Sequence, residues 1–298
     1  MQREGEVKDT RNTPERLNSI NKKNRLSSKD KVKHSISVII SSYNQNKSLT
    51  EILSRLANSS SQINEVIVAD DGSTPLLKDN PDLVFNKQIQ KFTFLHHEDR
   101  GFRKCKILNE AINTSTSKYI VFLDGDCLPH KDFARDHIVL AEKGHFVQGR
   151  RCFVRQDKVA CLLEGRTSLK RLMLSGKVSG LLKSIRLPIP YIKHNKTMYG
   201  LLGCNLGVWR EDLIKINGFD EDYEGWGRED SDLCARLYNL GVTRKMVYGR
   251  ALVYHLNHPE NDRGNLKKND KLLKEAIRSA KTRCTNGIFK ELNESNKD

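Results

Sequence analysis

Carboxylates cluster at three points of the sequence, and two of these clusters follow short apolar runs. Asp70 and Asp71 end the run EVIVADD, and Asp124 and Asp126 follow YIVFL. Two carboxylates at the end of a strand can share a divalent cation, and such a cation can bridge the diphosphate of a ligand. Asp71 has a second interpretation, an Asx turn that closes the loop Gly-Ser-Thr-Pro. The position of these acids, more than their spacing, favours a ligand site.

The third cluster is the stretch EGWGREDSDLCARL, in which a tryptophan lies between two glycines and three acids follow. Acids in a first turn stabilise the positive end of a helix, and Leu233 and Leu237 recur at helical spacing. A helix is therefore predicted to begin near Asp230. Capping accounts for one or two of the acids but not for Trp226, because a large ring on a glycine loop favours a partner that stacks on it.

Alternating strands and helices must position these acids. Buried strands are predicted for SISVII, EVIVAD, KFTFLHH and YIVFLDGD, and helices for the segment from Leu49 to Leu56 and for KCKILNEAI. This alternation predicts a doubly wound, mainly parallel α/β sheet flanked by helices, in which ligands bind beyond the carboxyl ends of the strands. The loops after these strands lack the glycine pattern of dinucleotide or P-loop proteins, so phosphate must be held in another way.

Composition narrows the class of protein. The chain has 298 residues, enough for one large α/β domain, and its apolar runs are too short to span a bilayer. Seven scattered cysteines fit a reducing cytosol, and the first residues, MQREGEVKDTRN, lack the apolar core of a signal peptide. We therefore expect a cytoplasmic location.

The net charge of +15 is unevenly distributed. Residues 1–34 are expected to form a basic mobile tail, and residues 266–298 a basic C-terminal helix. The segment 150–200 carries 12 basic and 2 acidic residues, mixed with Leu, Ile and Met. Such a mixture suits either peripheral contact with the anionic inner face of the plasma membrane or an ordinary solvated face. Nucleic acid is not expected as a partner, because no nucleic-acid-binding motif accompanies the charge.

The motifs SVIISSYN, EVIVADDGST and YIVFLDGDC resemble the nucleotide-binding half of family 2 glycosyltransferases, which have the GT-A fold. The run NLGVWREDLIKINGFDEDYEGWGREDSDLCARL resembles the acceptor half of β-1,4-galactosyltransferases, chondroitin polymerases and polypeptide N-acetylgalactosaminyltransferases. The resemblance implies a GT-A domain at 35–265. Its parts are a nucleotide-binding half at 35–149, the basic insert at 150–200 and an acceptor half at 201–265.

The same resemblance implies roles for residues on the donor side. Asp71 is expected to contact uracil, and Asp124 the ribose or the donor sugar. Asp126 and His255 are expected to bind a divalent metal, Mn²⁺ or Mg²⁺, with His258 as a further candidate ligand. The other donor-binding candidates are Ser42, Tyr43, Arg100, Arg103 and Lys106.

The three basic residues of that set have two interpretations. They could neutralise the diphosphate of the donor, since guanidinium and ammonium groups suit phosphate oxygens, or they could be surface charges on a helix. The chain also departs from the family here, because many members have arginine where this chain has Leu108 before Asn109. One phosphate-contacting charge is therefore missing or replaced.

On the acceptor side, the resemblance assigns Trp226 to stacking on sugar rings and Glu229 to a sugar hydroxyl. It makes Asp230 the catalytic base, whereas Asp232 is expected to stabilise the helix. A sugar hydroxyl that attacks an anomeric carbon needs a carboxylate to accept its proton and an electrophile to stabilise the departing diphosphate.

These expectations together describe an inverting, metal-dependent glycosyltransferase that uses a nucleotide-sugar donor, expected to be a UDP-sugar. The acceptor would be a hydroxyl of a glycan or a lipid-linked saccharide in surface polysaccharide or lipopolysaccharide biosynthesis. The alternative is a catalytically inactive protein of the same fold that binds a glycan or a nucleotide sugar.

Overall fold

The computed structural model describes residues 36–75, 89–259 and 262–290. The predicted N-terminal tail lies outside these residues. So do positions 291–298 of the predicted C-terminal helix.

The described residues form eleven strands, and the four that the sequence predicts lie within two residues of their apolar runs. In chain order they are β1 (Ile36–Ser42), β2 (Ile63–Asp70), β3 (Phe92–His96), β4 (Tyr119–Asp124), β5 (Cys127–Pro129), β6 (His145–Gln148), β7 (Arg150–Val154), β8 (Tyr191–Asn195), β9 (Asn205–Trp209), β10 (Thr243–Tyr248) and β11 (Leu252–Leu256). The first four, β1 to β4, are the strands predicted from SISVII, EVIVAD, KFTFLHH and YIVFLDGD.

The helices lie between the strands and at the C-terminal end. They are α1 (Asn46–Ala57), α2 (Lys104–Thr114), α3 (Phe133–Leu140), α4 (Gln156–Leu163), α5 (Leu169–Leu174), α6 (Leu181–Ser184), α7 (Arg210–Lys215), α8 (Glu229–Asn239) and α9 (Leu266–Arg278). Helix α8 is the one predicted near Asp230, and the C-terminal helix ends at Arg278.

The main sheet has eight strands in the order β3-β2-β1-β4-β9-β6-β10-β8. The first four are parallel, as their alternation with helices predicts. Strand β9 pairs antiparallel with both β4 and β6, and β8 pairs antiparallel with β10. The sheet is therefore parallel in the nucleotide-binding half and mixed beyond it.

Two apolar cores cover the two faces of this sheet. Because successive strand residues point to opposite faces, Val38 and Ile40 pack in the core that contains α1, whereas Ile39 packs in the core that contains α2. All three side chains are fully buried. This two-sided burial explains why the β1 sequence is almost continuously apolar.

A second, three-stranded sheet has the order β5-β11-β7. In it, His255 of β11 lies opposite Cys127 of β5 and Phe153 of β7. This pairing joins residues more than a hundred positions apart in the chain. It places a histidine of the acceptor half beside the Asp-Gly-Asp motif.

The basic insert is built from β7, three short helices and β8, and an ion pair with helix α3 anchors it. Arg186 lies 2.6 Å from Asp136 of α3, whose carboxylate is buried. Leu174 and Ile189 of the insert are 73% and 80% exposed.

Among the described residues, no helix has both the length and the apolar character needed to cross a membrane.

Candidate active site

The carboxyl ends of β1 and β4 meet through Ser41 and Asp124. Ser41 Oγ donates a hydrogen bond to Asp124 Oδ1 over 2.8 Å, and the Gly125 N–H donates to the Ser41 carbonyl over 2.7 Å. A side chain at Gly125 would collide with Gln45 Oε1 and with the Ser41 carbonyl. Glycine is therefore required between the two aspartates, and the close contact fixes the motif against β1.

Two neighbouring aspartates end β2 with different partners. Asp70 is fully buried and lies 2.7 Å from His96 Nδ1. Asp71 lies 2.6 Å from His97 Nε2 and accepts a hydrogen bond from the Arg103 N–H over 3.0 Å. Burial raises the pKa of Asp71, although both hydrogen bonds act to lower it. Asp71 thus lies at the predicted strand end and is tied to the start of α2.

The loops after β1 and β2 are hydrogen-bonded to each other. The Asn44 N–H donates to Ser73 Oγ over 2.7 Å. Ser42 is buried, and within the described part of the chain its Oγ has no hydrogen-bond partner. Tyr43 is 48% exposed and donates its hydroxyl to Asp99 over 3.0 Å. The donor-binding candidates Ser42 and Tyr43 therefore lie at the carboxyl end of β1, beside the loop that follows β2.

Asp126 faces two histidines at the end of β11. Its Oδ2 lies 3.4 Å from His255 Nε2 and 3.1 Å from His258 Nε2. Burial acts to raise the pKa of Asp126, but the hydrogen bond to His258 and the charge of His255 outweigh it and lower this pKa. The structure thus brings all three predicted metal ligands together.

The donor atoms of this group fit a divalent cation. One oxygen of Asp126 lies within 3.4 Å of an imidazole nitrogen of each histidine, and this donor set suits Mn²⁺ better than Mg²⁺, which prefers oxygen ligands. Cys127 also lies beside Asp126 and His255. However, burial raises the pKa of its thiol well above the usual range, and the thiol donates a hydrogen bond to Asp126 Oδ1 over 3.2 Å. The Cys127 thiol thus also helps to orient Asp126.

Lys104, the first residue of α2, lies among carboxylates from both halves of the chain. Its Nζ is 2.9 Å from Asp124 Oδ1 and 3.9 Å from Glu229 Oε1. Burial acts to lower the pKa of Lys104, but the three neighbouring carboxylates outweigh it and raise this pKa well above its ordinary value. Lys104 therefore stays protonated and links the Asp-Gly-Asp motif to α8.

Glu229 is buried at the start of α8. Burial and the charge of Asp230 raise its pKa to about 7, although Lys104 acts to lower it. Its Oε2 has no hydrogen-bond partner among the residues that the structure describes. Glu229 therefore carries an acceptor atom that a sugar hydroxyl could use.

Asp230 is held in place by a backbone amide. The Gly203 N–H donates to Asp230 Oδ2 over 2.6 Å, and a side chain at Gly203 would overlap with this carboxylate. Asp230 lines one small cavity together with Asp124, Lys104 and Glu229. The acids at the start of α8 thus face the aspartate at the end of β4, as a shared site requires.

Trp226 lies on a loop that α9 holds. Asn269 is fully buried, and its Nδ2 donates to the carbonyls of Glu224 and Gly227 over 3.1 and 2.9 Å. Gly227 has a φ of 105°, which residues with a side chain rarely adopt. Trp226 is 36% exposed, and the Arg263 guanidinium lies 5.3 Å from the centre of its ring. The ring is thus presented at the surface by a braced loop.

Asp232 has a structural environment, as expected from sequence. It forms an ion pair with Arg236 over 2.6 Å, and both side chains are buried. Arg236 also donates to the carbonyls of Ile216 and Gly218, each over 2.7 Å. The helix-stabilising interpretation therefore describes Asp232 and not the two acids before it.

The three basic candidates near the start of α2 do not line the cavity. Arg100 pairs with Glu98 over 2.7 Å, and the Arg103 guanidinium donates to the Glu98 carbonyl. Lys106 is exposed on α2. Within the described part of the chain, Arg103 is hydrogen-bonded to a site residue through its backbone N–H, which donates to Asp71.

The cation in the cavity is Lys104, which the sequence analysis missed. Its neighbours Arg103 and Lys106 are among the donor-binding candidates predicted from sequence, whereas Lys104 is not. A lysine in the first turn of a helix opposes the helix dipole, which is a signal for an anionic partner close by. Lys104 also lies one helical turn before Leu108, and both line the same cavity.

The family of the chain follows from a profile described as Glycosyl transferase family 2, which matches residues 37–188. The chain belongs to this family. A second profile, described as the N-terminal domain of galactosyltransferase, matches residues 185–259. Both halves of the resemblance inferred from the motifs are therefore confirmed, and the chain is a glycosyltransferase by family.

Curated relatives of this family 2 glycosyltransferase include polysaccharide synthases. Chondroitin synthase from Escherichia coli is 26% identical over 244 residues, which are 75% of this chain and 35% of the relative. The amylovoran biosynthesis glycosyltransferase AmsB from Erwinia amylovora is 28% identical over 231 residues, covering 74% of this chain and 70% of the relative. The chain therefore spans about a third of the length of the chondroitin synthase.

Solved structures show the same fold. TarS from S. aureus, residues 1–349, has a TM-score of 0.56 at 17% identity, covering 80% of this chain and 64% of that one. The mannosyltransferase PcManGT from Pyrobaculum calidifontis, in complex with GDP-Man and Mn²⁺, has a TM-score of 0.51 at 19% identity, covering 83% of this chain and 65% of that one. These two likenesses are to the fold, and the predicted GT-A fold is confirmed.

Proposed function

We propose that this family 2 glycosyltransferase moves a sugar from a nucleoside-diphosphate donor to a hydroxyl of a glycan, with inversion at the anomeric carbon. The observation that carries the proposal is the cavity shared by Asp124 of the nucleotide-binding half and Asp230 of the acceptor half. Asp124 and Asp230, which have separate expected roles, thus line the same cavity. Between them lie Lys104 and the free oxygen of Glu229.

In the proposed reaction Asp230 is the general base. Its Oδ2 is oriented by the Gly203 amide, which leaves the carboxylate able to accept the proton of the attacking hydroxyl. The hydroxyl oxygen forms a bond to the anomeric carbon as the bond from that carbon to the phosphate oxygen breaks. The nucleoside diphosphate leaves with the bonding electrons, and a single displacement of this kind inverts the anomeric centre.

The other residues of the site are proposed to bind and orient the donor and the acceptor. Asp71 and Asp124 are proposed to hold the nucleoside and the sugar, because they lie at the carboxyl ends of the two parallel strands that flank β1. Glu229 is proposed to accept a hydrogen bond from a sugar hydroxyl, and Trp226 to stack on a sugar ring. A divalent cation held by Asp126, His255 and His258 supplies, when bound, positive charge that stabilises the departing diphosphate.

The donor nucleotide is proposed to be UDP and the metal Mn²⁺. The nitrogen ligands support Mn²⁺, and the structural neighbour PcManGT was solved with Mn²⁺. TarS was solved with UDP, whereas PcManGT was solved with a guanosine nucleotide. The acceptor is proposed to be a growing surface polysaccharide, since chondroitin synthase and the amylovoran enzyme are among the relatives.

The basic insert supports peripheral contact with an anionic membrane that carries a lipid-linked acceptor. Lys170 and Arg171 on α5 surround a surface hollow together with the exposed Leu174. Basic and apolar side chains on one surface suit anionic lipid headgroups. Sedimentation with phosphatidylglycerol vesicles should exceed sedimentation with phosphatidylcholine vesicles, and Leu174→Glu should reduce it. Equal sedimentation with both vesicles would contradict the proposed contact.

A nucleotide-release assay tests the proposed activity. The full chain is incubated with MnCl₂ and a panel of UDP- and GDP-sugars, with and without oligosaccharide acceptors, and the released nucleotide is measured. We expect release with one UDP-sugar, stimulated by one acceptor and prevented by EDTA. Donor binding without release for any combination would support the inactive binding protein instead.

A further inference from the structure

Arg151 of β7 lies beside the metal-binding group and was not considered a site residue from sequence. Its guanidinium carbon is 4.8 Å from the ring centre of Phe153, and that ring is 5.3 Å from the ring of His255. Arg151 and Phe153 share one face of the strand, because side chains alternate along β7. The guanidinium is thus placed next to a proposed metal ligand.

The charge of Arg151 is not balanced by a carboxylate in the described part of the chain. Its Nη1 contacts Cys204 Sγ at 3.9 Å, and its Nε is buried there without a hydrogen-bond partner. By contrast, Arg155 at the end of the same strand pairs with Asp157 over 3.0 Å. A buried guanidinium donor without an acceptor is unfavourable, so this position favours an anionic ligand.

The position of Cys204 places this cation relative to the reaction centre. The Cys204 carbonyl accepts a hydrogen bond from the Asp124 N–H over 3.3 Å, and the residue before it, Gly203, orients Asp230. Arg151 therefore contacts both Phe153, which lies beside the proposed metal ligand His255, and Cys204, which follows the residue that orients Asp230.

The other cations near the site each have an oxygen partner, although the Arg103 Nε is also without a hydrogen-bond partner among the described residues. Lys104 is held by Asp124 and Glu229, and the Arg100 and Arg103 side chains are directed to Glu98. We propose that Arg151 binds the diphosphate of the donor and stabilises it as the leaving group. This inference rests on the proposed function, and it assigns the basic insert a part in donor binding.

The test measures nucleotide binding by isothermal titration calorimetry, using the full chain with MnCl₂ and UDP, UMP or uridine. We expect Arg151→Gln to weaken UDP binding by about 10- to 100-fold, because charge-assisted hydrogen bonds to phosphate are lost. Uridine binding and Mn²⁺ binding, the latter measured by electron paramagnetic resonance, should be unchanged. Arg151→Lys should lose less, and the matched control Arg155→Gln should bind UDP like the wild type.

Three outcomes separate the possible failures. If Arg151→Gln binds UDP as tightly as the wild type, the inference is wrong and the proposed function stands. If UDP and uridine binding fall together in Arg151→Gln but not in Arg151→Lys, the residue acts on the nucleoside pocket and the inference is also wrong. If the wild type binds neither UDP nor GDP in the presence of Mn²⁺, the proposed function itself fails, and the inference with it.

Discussion

The donor side and the acceptor side of the candidate site hold their carboxylates with different partners. On the donor side, Asp126 faces two histidines, whose influence outweighs burial and lowers the pKa of this acid. On the acceptor side, burial and a like charge raise the pKa of Glu229 to about 7. Asp126 is therefore kept ionised for a cation, whereas Glu229 can exchange a proton with a substrate.

The same contrast exists within one helix. Asp230 and Asp232 are two positions apart on α8, but a backbone amide holds the first and a buried arginine holds the second. Partners, and not residue type, thus decide which acid is available for chemistry.

The largest effect is expected for Asp230→Asn. The asparagine keeps the shape of the side chain but is a far weaker proton acceptor, so kcat should fall on the order of 10³-fold. Donor binding, measured by calorimetry with UDP and MnCl₂, should be nearly unchanged. The matched control is Asp222→Asn, because Asp222 is an exposed acid of the same segment. Loss of UDP binding in Asp230→Asn would mean that this residue positions the donor instead.

Asp232→Asn should instead lower the stability of the fold and leave kcat unchanged. It leaves the fully buried Arg236 without its counterion, and breaking a buried ion pair costs about 3–5 kcal/mol of unfolding free energy. Urea denaturation would measure this loss. Residual folded enzyme at low temperature should retain its kcat. Normal stability with lost activity would place Asp232 in the site and contradict the contrast with Asp230.

Asp126→Asn tests the donor side. Removal of a direct ligand should weaken Mn²⁺ binding by more than about 100-fold, since even outer partners of metal ligands contribute 10- to 100-fold. Electron paramagnetic resonance of Mn²⁺ measures the free ion directly. Asp157→Asn, at an exposed acid of the insert, is the control. Unchanged Mn²⁺ affinity in Asp126→Asn would show that the metal, if it binds, is held elsewhere.

The smallest effect is expected for Glu229→Gln, whose stability relative to the wild type should depend on pH. Because the pKa of Glu229 is about 7 in the folded chain and near its ordinary value when unfolded, the native state loses stability as pH rises through this interval. Glu229→Gln removes that loss. It should therefore raise the free energy of unfolding relative to the wild type at pH 8 by roughly 1–3 kcal/mol. At pH 4.5 the two proteins should differ little, and Lys104 keeps Asp124 as its partner.

Thermal or urea unfolding of both proteins at the two pH values gives this difference. A constant difference across pH would mean that the ionisation of Glu229 does not set its contribution. Lower stability of Glu229→Gln at pH 8 would show that the pair with Lys104 outweighs burial.

Sequence patterns predicted the parts of the fold that depend on local periodicity. The parallel strands β1 to β4, the start of α8 and the acids at the strand ends follow from runs of apolar residues and from the loops after them. The residues Asp126, His255 and His258 came together as expected because a family motif placed them, not because spacing alone could.

Long-range contacts could not be predicted in the same way. Helical spacing places Lys104 on the same side of α2 as Leu108, but the contact of this side with α8 depends on residues far apart in the chain. The antiparallel strands β8 and β9 depend on pairings far apart in the chain. Arg151 lies in an insert whose composition indicated only a basic surface, and its position beside His255 results from the β7–β11 register.

The brace formed by α9 has a consequence for the minimal length of the catalytic unit. Lys268, Asn269 and Asp270 all contact the tryptophan loop, through Glu224, the carbonyl of Gly227 and Arg228. A fragment that stops at residue 259, where the family match ends, would keep every residue of the cavity and yet leave Trp226 on an unsupported loop. We expect such a fragment to bind UDP but to fail to capture its acceptor, so the functional boundary of this enzyme lies beyond its family boundary.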